Sequence, residues 1–246
     1  MRITTVLFDL DGTLLPMNQD EFTKGYFKLL AAKLALHGYE PKQLVDTIWA
    51  CMTAMVKNGG TCSSNEEVFW EKFAAIYGEK ALADKPLFEE FYEKEFEGAK
   101  AYCKFNPRVP KAIHRIQEMG YRVVLATNPI FPAVATEARI RWAGLEPSDF
   151  ELYTTYENFG YCKPNPAYYK EILDRLNVVP EKCLMVGNNV KEDMVAQVLG
   201  IQVFLLTDCL INKERVDINQ FPRGSYNRLF EYIEESQKEC VRFYPE

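Results

Sequence analysis

Asp9 and Asp11 stand one residue apart in VLFDLDGTLL (residues 6–15), where an apolar run ends in acid. Two carboxylates this close strongly disfavour joint ionisation unless something positive lies between or beside them. A divalent cation supplies that charge. Mg²⁺ is hard, takes oxygen ligands in an octahedral shell, and is commonly held by one or two carboxylates together with water and a substrate phosphate. With a phosphoryl oxygen drawn onto the same cation, Asp9 is left to attack phosphorus with its other oxygen. Asp11, its side chain turned away from the metal, is suited to protonate the leaving oxygen and then to activate water against the aspartyl phosphate. Asp and Gly also favour plain turns, but here an oily strand precedes them and GTLL follows.

Negative charge developing on phosphorus needs further donors. The Thr127 hydroxyl, Asn128, the Lys163 ammonium and the backbone amides of the tight DLDGT turn, Leu10 and Gly12 among them, form the candidate phosphate-binding set. Gly12 lets that backbone come close. No histidine is needed: His37 falls in a helical stretch and His114 inside another helix, and both read as structural or surface residues. Asn188, Asn189 and Asp193 follow a later apolar run. They read either as oxygen ligands beside a cation or as turn formers, Asp193 also as a charge at the start of the next helix.

Open parallel sheets place their ligand sites beyond the carboxyl ends of the strands, so the elements ahead of these residues matter. The chain enters a strand at once. From about Asn18 to Tyr102 the pattern is then helical throughout, with apolar positions at 3.6 spacing. One helix starts near Pro41 and stops at Gly59 and Gly60; another starts at Ser64, with Glu67 placed for a capping box, and carries Phe69, Trp70 and Phe73 to Gly78. That aromatic stripe reads as helix–helix core before ligand cage. From about Phe105 helices and strands alternate: a helix ending at Gly120, the strand YRVVLATN, a helix over 132–144, the strand FELYTT, a helix from Pro166, the strand KCLMVG, the helix KEDMVAQVLG, the strand IQVFLLT and a final amphipathic helix in SYNRLFEYIEE. Repeated βα units imply a parallel sheet with helices on both faces, here a doubly wound core interrupted after its first strand by an all-helical insertion.

Composition narrows the partners. A length of 246 residues, 48% of them hydrophobic, is enough to bury a large core and argues against disorder. The net charge of −6 comes from 35 acids and 29 bases without long blocks of one sign, which leaves no footprint for nucleic acid or an anionic membrane and favours a small-molecule partner. Cysteines 51, 62, 103, 162, 183, 209 and 240 include no Cys-x-x-Cys pair and are odd in number, which points to a reducing compartment. No apolar run is long enough to span a bilayer and no export leader is evident, so a cytoplasmic protein is expected.

In this order, DLDGTLL, Thr127 in LATN, Lys163 in GYCKPNP and Asp193 in GNNVKED resemble the four motifs of the haloacid dehalogenase (HAD) superfamily, over a span from the first strand to about Ile201. The resemblance implies a Rossmann-like core over residues 1–17 and 103–246, with residues 18–102 as a helical cap of the first type. It implies Asp9 as nucleophile, Asp11 as general acid and base, and Thr127 and Lys163 on the phosphoryl group. Members of this shape are mostly Mg²⁺-dependent phosphatases of small phosphorylated metabolites, which puts Asp9, Asp11, residue 188 and Asp193 around the metal. One position departs. The family usually has aspartate after the glycine of its fourth motif, and here Gly187 is followed by Asn188, still an acceptable hard ligand but one charge short. Three other readings stay open: a receiver-like regulatory domain, which gives no reason for a large insertion; a true dehalogenase, a branch that by resemblance lacks the second aspartate; and a HAD-like protein that binds phosphate with little turnover.

Overall fold

A computed structural model describes residues 2–60 and 64–243 of the chain. Six strands, β1 (Thr5–Phe8), β2 (Arg122–Leu125), β3 (Leu152–Tyr153), β4 (Cys183–Gly187), β5 (Gln202–Leu206) and β6 (Arg223–Gly224), form one sheet in the order β3-β2-β1-β4-β5-β6. Every pairing is parallel, with β1 between β2 and β4. Parallel neighbours need crossovers, and the helices that supply them cover both faces. Alternation along the strands divides the core. Val6, Phe8, Val123, Leu125, Leu184, Val186, Phe204 and Leu206 face one apolar cluster, and Leu7, Val124, Met185, Val203 and Leu205 the other. The first cluster is covered by α5 (Arg108–Glu118), α6 (Ala133–Trp142) and α8 (Tyr226–Phe243); the second is covered by α7 (Pro166–Leu176). The expected doubly wound α/β core is therefore present.

Between β1 and α5 the chain is helical, as its periodicity predicts: α1 (Gln19–Ala35), α2 (Pro41–Val56), α3 (Asn65–Tyr77) and α4 (Lys85–Glu93), with 3₁₀ turns at Glu79–Asp84 and Glu95–Tyr102. The Asn18 side chain starts the insertion by accepting the Asp20 and Glu21 amides, and Ser64 starts α3 by accepting the Glu67 amide. The aromatic stripe of α3 is buried against α2 and α4; Phe69 stacks on Phe73 at 5.9 Å between ring centroids, and Trp70 meets Phe88 edge-on at 5.3 Å. The insertion shares the first core cluster with the sheet. Trp142 of α6 stacks on Phe96 at 5.2 Å and donates to Glu97 Oε2 at 2.8 Å.

Three segments differ from expectation. FELYTT supplies only two strand residues, because this edge strand pairs on one side alone and the Thr154 hydroxyl turns to the Thr127 carbonyl. KEDMVAQVLG forms a 3₁₀ segment, Met194–Leu199, instead of an α-helix. Asp193 is pinned at its start and Gly200 leaves in the left-handed region at φ +90°, so six residues are too few to nucleate an α-helix. The short β6 has no apolar signal of its own. Among the described residues no helix is long and apolar enough to cross a membrane. Cys51, Cys103, Cys162, Cys183 and Cys209 are free thiols, while Cys62 and the Cys240 side chain lie outside the described residues.

Candidate active site

The carboxyl ends of β1, β2 and β4 meet at the point where the strand order reverses, which is where an open α/β sheet leaves its crevice. Asp9 follows β1 and donates its amide to the Val186 carbonyl, and Ala126 returns an amide to Phe8. The DLDGT turn then closes on itself through Thr13 N and Leu15 N to Leu10 O, and Gly12 N to Leu15 O. Gly12 has φ +86°, and a Cβ there would sit 2.3 Å from Asn188 Nδ2, so glycine is required for both conformation and space. Its amide is spent within the turn. Among the described residues the Leu10 and Asp11 amides have no backbone acceptor.

Lys163, 1% exposed, reaches in from the loop before α7. Its Nζ lies 2.9 Å from Asp9 Oδ1 and 2.7 Å from Asp193 Oδ1. Burial pulls the ammonium down, but Asp193 and Asp9 more than offset it, and the lysine is held well above its ordinary value. Asp193 Oδ2 accepts the Asn189 amide at 2.9 Å, so both of its oxygens are engaged. A Cβ on Gly187 would fall 2.1 Å from that carboxylate. Burial raises the Asp193 carboxyl although Lys163 opposes it.

Asp11 points to the other side and is held by a residue that the motifs do not contain. Arg139 of α6 is fully buried, donates Nη1 to Asp11 Oδ2, bonds the Ala135 carbonyl and Thr136 Oγ1, and stacks over the Phe131 ring at 4.3 Å. Asp11 Oδ1 is buried without a partner. Burial raises the Asp11 carboxyl, with Arg139 opposing and Asp9 adding to the rise. Replacing Arg139 by Met is therefore expected to cost about 3 kcal/mol in chemical denaturation at neutral pH, since it strands a buried carboxyl group. Removing the arginine raises the Asp11 pKa further, so the difference between the two proteins grows as pH rises and shrinks in acid, where Asp11 is neutral in both. An equal loss at every pH would show that packing alone is at stake.

The remaining candidates converge around Asp9. The Thr13 hydroxyl lies 3.1 Å from Asp9 Oδ2 and 3.0 Å from Asn188 Oδ1, with one proton for two acceptors. Asn188 Nδ2 donates to the Cys209 carbonyl at 2.6 Å, which aims its oxygen inward. Asn128 accepts the Lys163 amide and donates to Glu192, so its side chain is committed to positioning the lysine loop. The Thr127 carbonyl is fixed by Thr154 and Tyr168, and Thr127 lines the same cavity as Asp9 and Asp11. Among the described residues no three His, Cys, Asp or Glu side chains are grouped as a metal site. The hard oxygens of Asp9 and Asn188 nevertheless share a single hydroxyl proton, and Asp11 keeps an orphaned oxygen. Asp9, Asp11 and Asp193 outnumber Lys163 and Arg139, and this donor set fits a hard cation.

Sequence reasoning overlooks Arg139, Thr13 and Glu192. Arg139 had a signal: Ala135, Thr136 and Ile140 form the buried face of α6, and position 139 falls on it. A cavity of about 240 Å³ opens above the carboxylates, roofed by Phe22, Tyr26, Phe27, Trp49 and Met52 of the insertion. His37 and His114 are exposed and neither lines this cavity.

Known proteins resemble this chain in sequence and in fold. The chain is 28% identical over 189 residues to a phosphoglycolate phosphatase of Aquifex aeolicus, covering 76% of each chain. It is 26% identical over 191 residues to the pyrophosphatase PpaX of Bacillus cereus, covering 77% of this chain and 76% of that one. A crystal structure of a 2-haloacid dehalogenase from Pseudomonas syringae pv. Tomato shares the fold, with TM-score 0.64 at 21% identity over 95% of this chain and 99% of the other. The pattern of the haloacid dehalogenase-like hydrolases matches residues 3–197, and the chain belongs to that family.

Proposed function

We propose that this hydrolase is a Mg²⁺-dependent phosphatase of a small phosphorylated metabolite and works through a phosphorylated Asp9. Residues 18–102 serve as the cap over a core formed by 1–17 and 103–246. The observation that carries the reading is the placement of Asp9 between Lys163 and the Thr13 hydroxyl, at the floor of a cavity that Asp11 also enters. The names of the Aquifex and Bacillus relatives support phosphorus as the reacting centre.

In this reading Lys163, Thr127 and the Leu10 amide hold the phosphoryl oxygens, with Asn128 steadying the lysine loop and Gly12 giving the approach. An Asp9 oxygen forms a bond to phosphorus as the ester P–O bond breaks, and Asp11 gives its proton to the departing oxygen. Asp11 then takes a proton from water, whose oxygen attacks phosphorus, frees Asp9 and releases inorganic phosphate. Asp9 and Asn188 would hold Mg²⁺ with their side-chain oxygens, leaving the Asp11 side chain free for the proton, with the Asp193 charge alongside. When bound, the ion supplies positive charge that lets phosphate approach three carboxylates. The raised Asp11 carboxyl suits it to carry the proton.

Hydrolysis of p-nitrophenyl phosphate that requires Mg²⁺ and stops with EDTA is the expected result. No turnover with any divalent metal would leave a phosphate-binding protein in its place. The same titration with Asn188→Asp is expected to reach half-maximal rate at lower Mg²⁺, because the shell regains a charge. The variant should also melt several degrees lower, on the order of 1–3 kcal/mol, because the Cys209 carbonyl loses its donor. An unchanged metal requirement would place Asn188 away from the ion.

A further inference from the structure

The insertion also touches the core away from the cavity roof, and there it reaches the loops that carry Thr127 and Lys163. The first turn of α3 opens onto the core backbone: the Asn65 amide donates to the Phe159 carbonyl and the Glu66 amide to the Tyr156 carbonyl, each at 2.8 Å. The first amides of a helix have no partner within it, and these two find theirs across the boundary. Just ahead of α3, the buried Asn58 side chain donates to the Gly160 carbonyl at 2.7 Å. Gly60, at φ +85°, passes so close to Tyr161 that a Cβ would lie 2.2 Å from its hydroxyl. The stretch 156–161 is thus held from the side of the insertion, and it leads straight to Lys163.

One side chain goes further. Asn65 is fully buried, and its Nδ2 serves two different loops, donating to the Pro129 carbonyl at 3.1 Å and to Cys162 Sγ at 3.3 Å. Pro129 follows Asn128 in the chain, and Cys162 precedes Lys163. The same two loops meet within the core where Asn128 Oδ1 accepts the Lys163 amide at 3.2 Å. The insertion therefore supplies a second bridge, one residue beyond the first. Its orientation is forced: the Pro129 carbonyl can only accept, so the amide nitrogen must face it, and Asn65 Oδ1 is left buried without a partner. Packing alone does not account for a buried amide with an unpaired oxygen; the bridge does.

Resting on the phosphatase reading above, we propose that Asn65 is a positioning residue for the phosphoryl site: from the insertion it sets the spacing between the loop of Thr127 and the loop of Lys163. Docking of α3 on the core and binding of phosphate then favour one another. Asn65 touches no substrate and acts through the two loops. Without its bridge they sample more than one spacing, and phosphate must order them at the expense of its own affinity. Once bound, phosphate restores the arrangement, so the loss falls on binding and not on the step that follows.

Calorimetry with inorganic phosphate and Mg²⁺, beside steady-state kinetics, tests this. Asn65→Ala is expected to bind phosphate about ten-fold more weakly than the parent and to raise KM for p-nitrophenyl phosphate by a similar factor, with kcat within roughly three-fold. A merely structural role gives the reverse split, a lower kcat from a smaller folded fraction at unchanged affinity, and that result overturns the proposal. So does a parent that binds no phosphate. Trp142→Phe serves as the control, because it deletes another hydrogen bond between core and insertion, the one to Glu97, and should leave phosphate affinity unchanged. Equal weakening there overturns the assignment to Asn65. If Asn65→Ala does not fold, Asn58→Ala, which frees the Gly160 carbonyl, should weaken phosphate about three-fold, and no weakening overturns the proposal. Hydrogen exchange needs no ligand: the Ile130 and Lys163 amides, both bonded to Asn128, should exchange about ten-fold faster in Asn65→Ala while those of β1 and β4 are unchanged, and equal exchange overturns it. Should no phosphate ester be cleaved at all, the phosphatase reading falls, and phosphate affinity and exchange still decide the part played by Asn65.

Discussion

Asp9→Asn is expected to remove turnover of any phosphate ester by about 10⁴-fold or more, while the protein remains folded. The carboxylate offers one oxygen to Lys163 and the other to Thr13, so the substituted amide can keep its oxygen on the ammonium and turn its NH₂ toward the hydroxyl. Thr13 then still donates to Asn188. Shape survives; the nucleophile does not. An amide oxygen is a poor nucleophile and forms no stable bond to phosphorus, so rapid-quench experiments should find no phosphorylated enzyme. Activity within ten-fold of the parent would remove Asp9 from the chemistry, and with it the mechanism proposed above.

Lys163→Met should damage both stability and rate. The ammonium is buried between Asp9 and Asp193, and its loss leaves two carboxylates facing each other without compensation. Breaking such a pair costs about 3–5 kcal/mol, which for a chain of this size lowers the melting temperature by on the order of 10 °C. The loss of phosphoryl stabilisation should add a fall in kcat/KM of roughly 10³-fold. The pH dependence follows from the direction of the shifts. Because the lysine is raised in the folded protein, its contribution is complete below the ordinary lysine pKa and persists through neutrality. In the variant the Asp193 carboxyl, already raised by burial, loses the cation that lowers it, so the variant should be less unstable in acid than at neutral pH. Full stability at all pH values would show that Lys163 is not the counterion of this site.

Some of the site was legible because its signals are local. Asp9, Asp11 and Gly12 lie within four residues on a strand and its turn, where apolar alternation and turn chemistry act over short distances. Thr127 could be read for a related reason, since it follows a strand whose period marks its end, whereas Lys163 stands in the loop ahead of a helix and was legible only through its place among the ordered motifs. The helical insertion was equally plain, since Asn18, Pro41 and Ser64 announce helix starts ahead of 3.6-residue patterns.

Other parts were out of reach. Arg139 lies 128 residues from Asp11, and nothing near either one announces the other. The periodicity of α6 places position 139 on the buried face, but which carboxylate the arginine meets there is decided only by packing against the sheet and insertion. Asp193 illustrates the same limit. Its motif position marks it for the metal, and only the folded chain shows that Lys163 and the Asn189 amide meet its two oxygens. The Gly12 amide was an expected phosphate donor, and closure of the turn onto Leu15 commits it elsewhere.

By itself, then, the order of residues determined the strand and helix periods, the interruption after β1 and the pair of acids at the end of that strand, because each depends on neighbours within a few positions. Tertiary structure alone decided which charges meet: Lys163 with Asp9 across 154 residues, and Arg139 with Asp11. Electrostatic energy falls with distance and rises as water is excluded, and both quantities exist only once the sheet and its insertion have closed on one another.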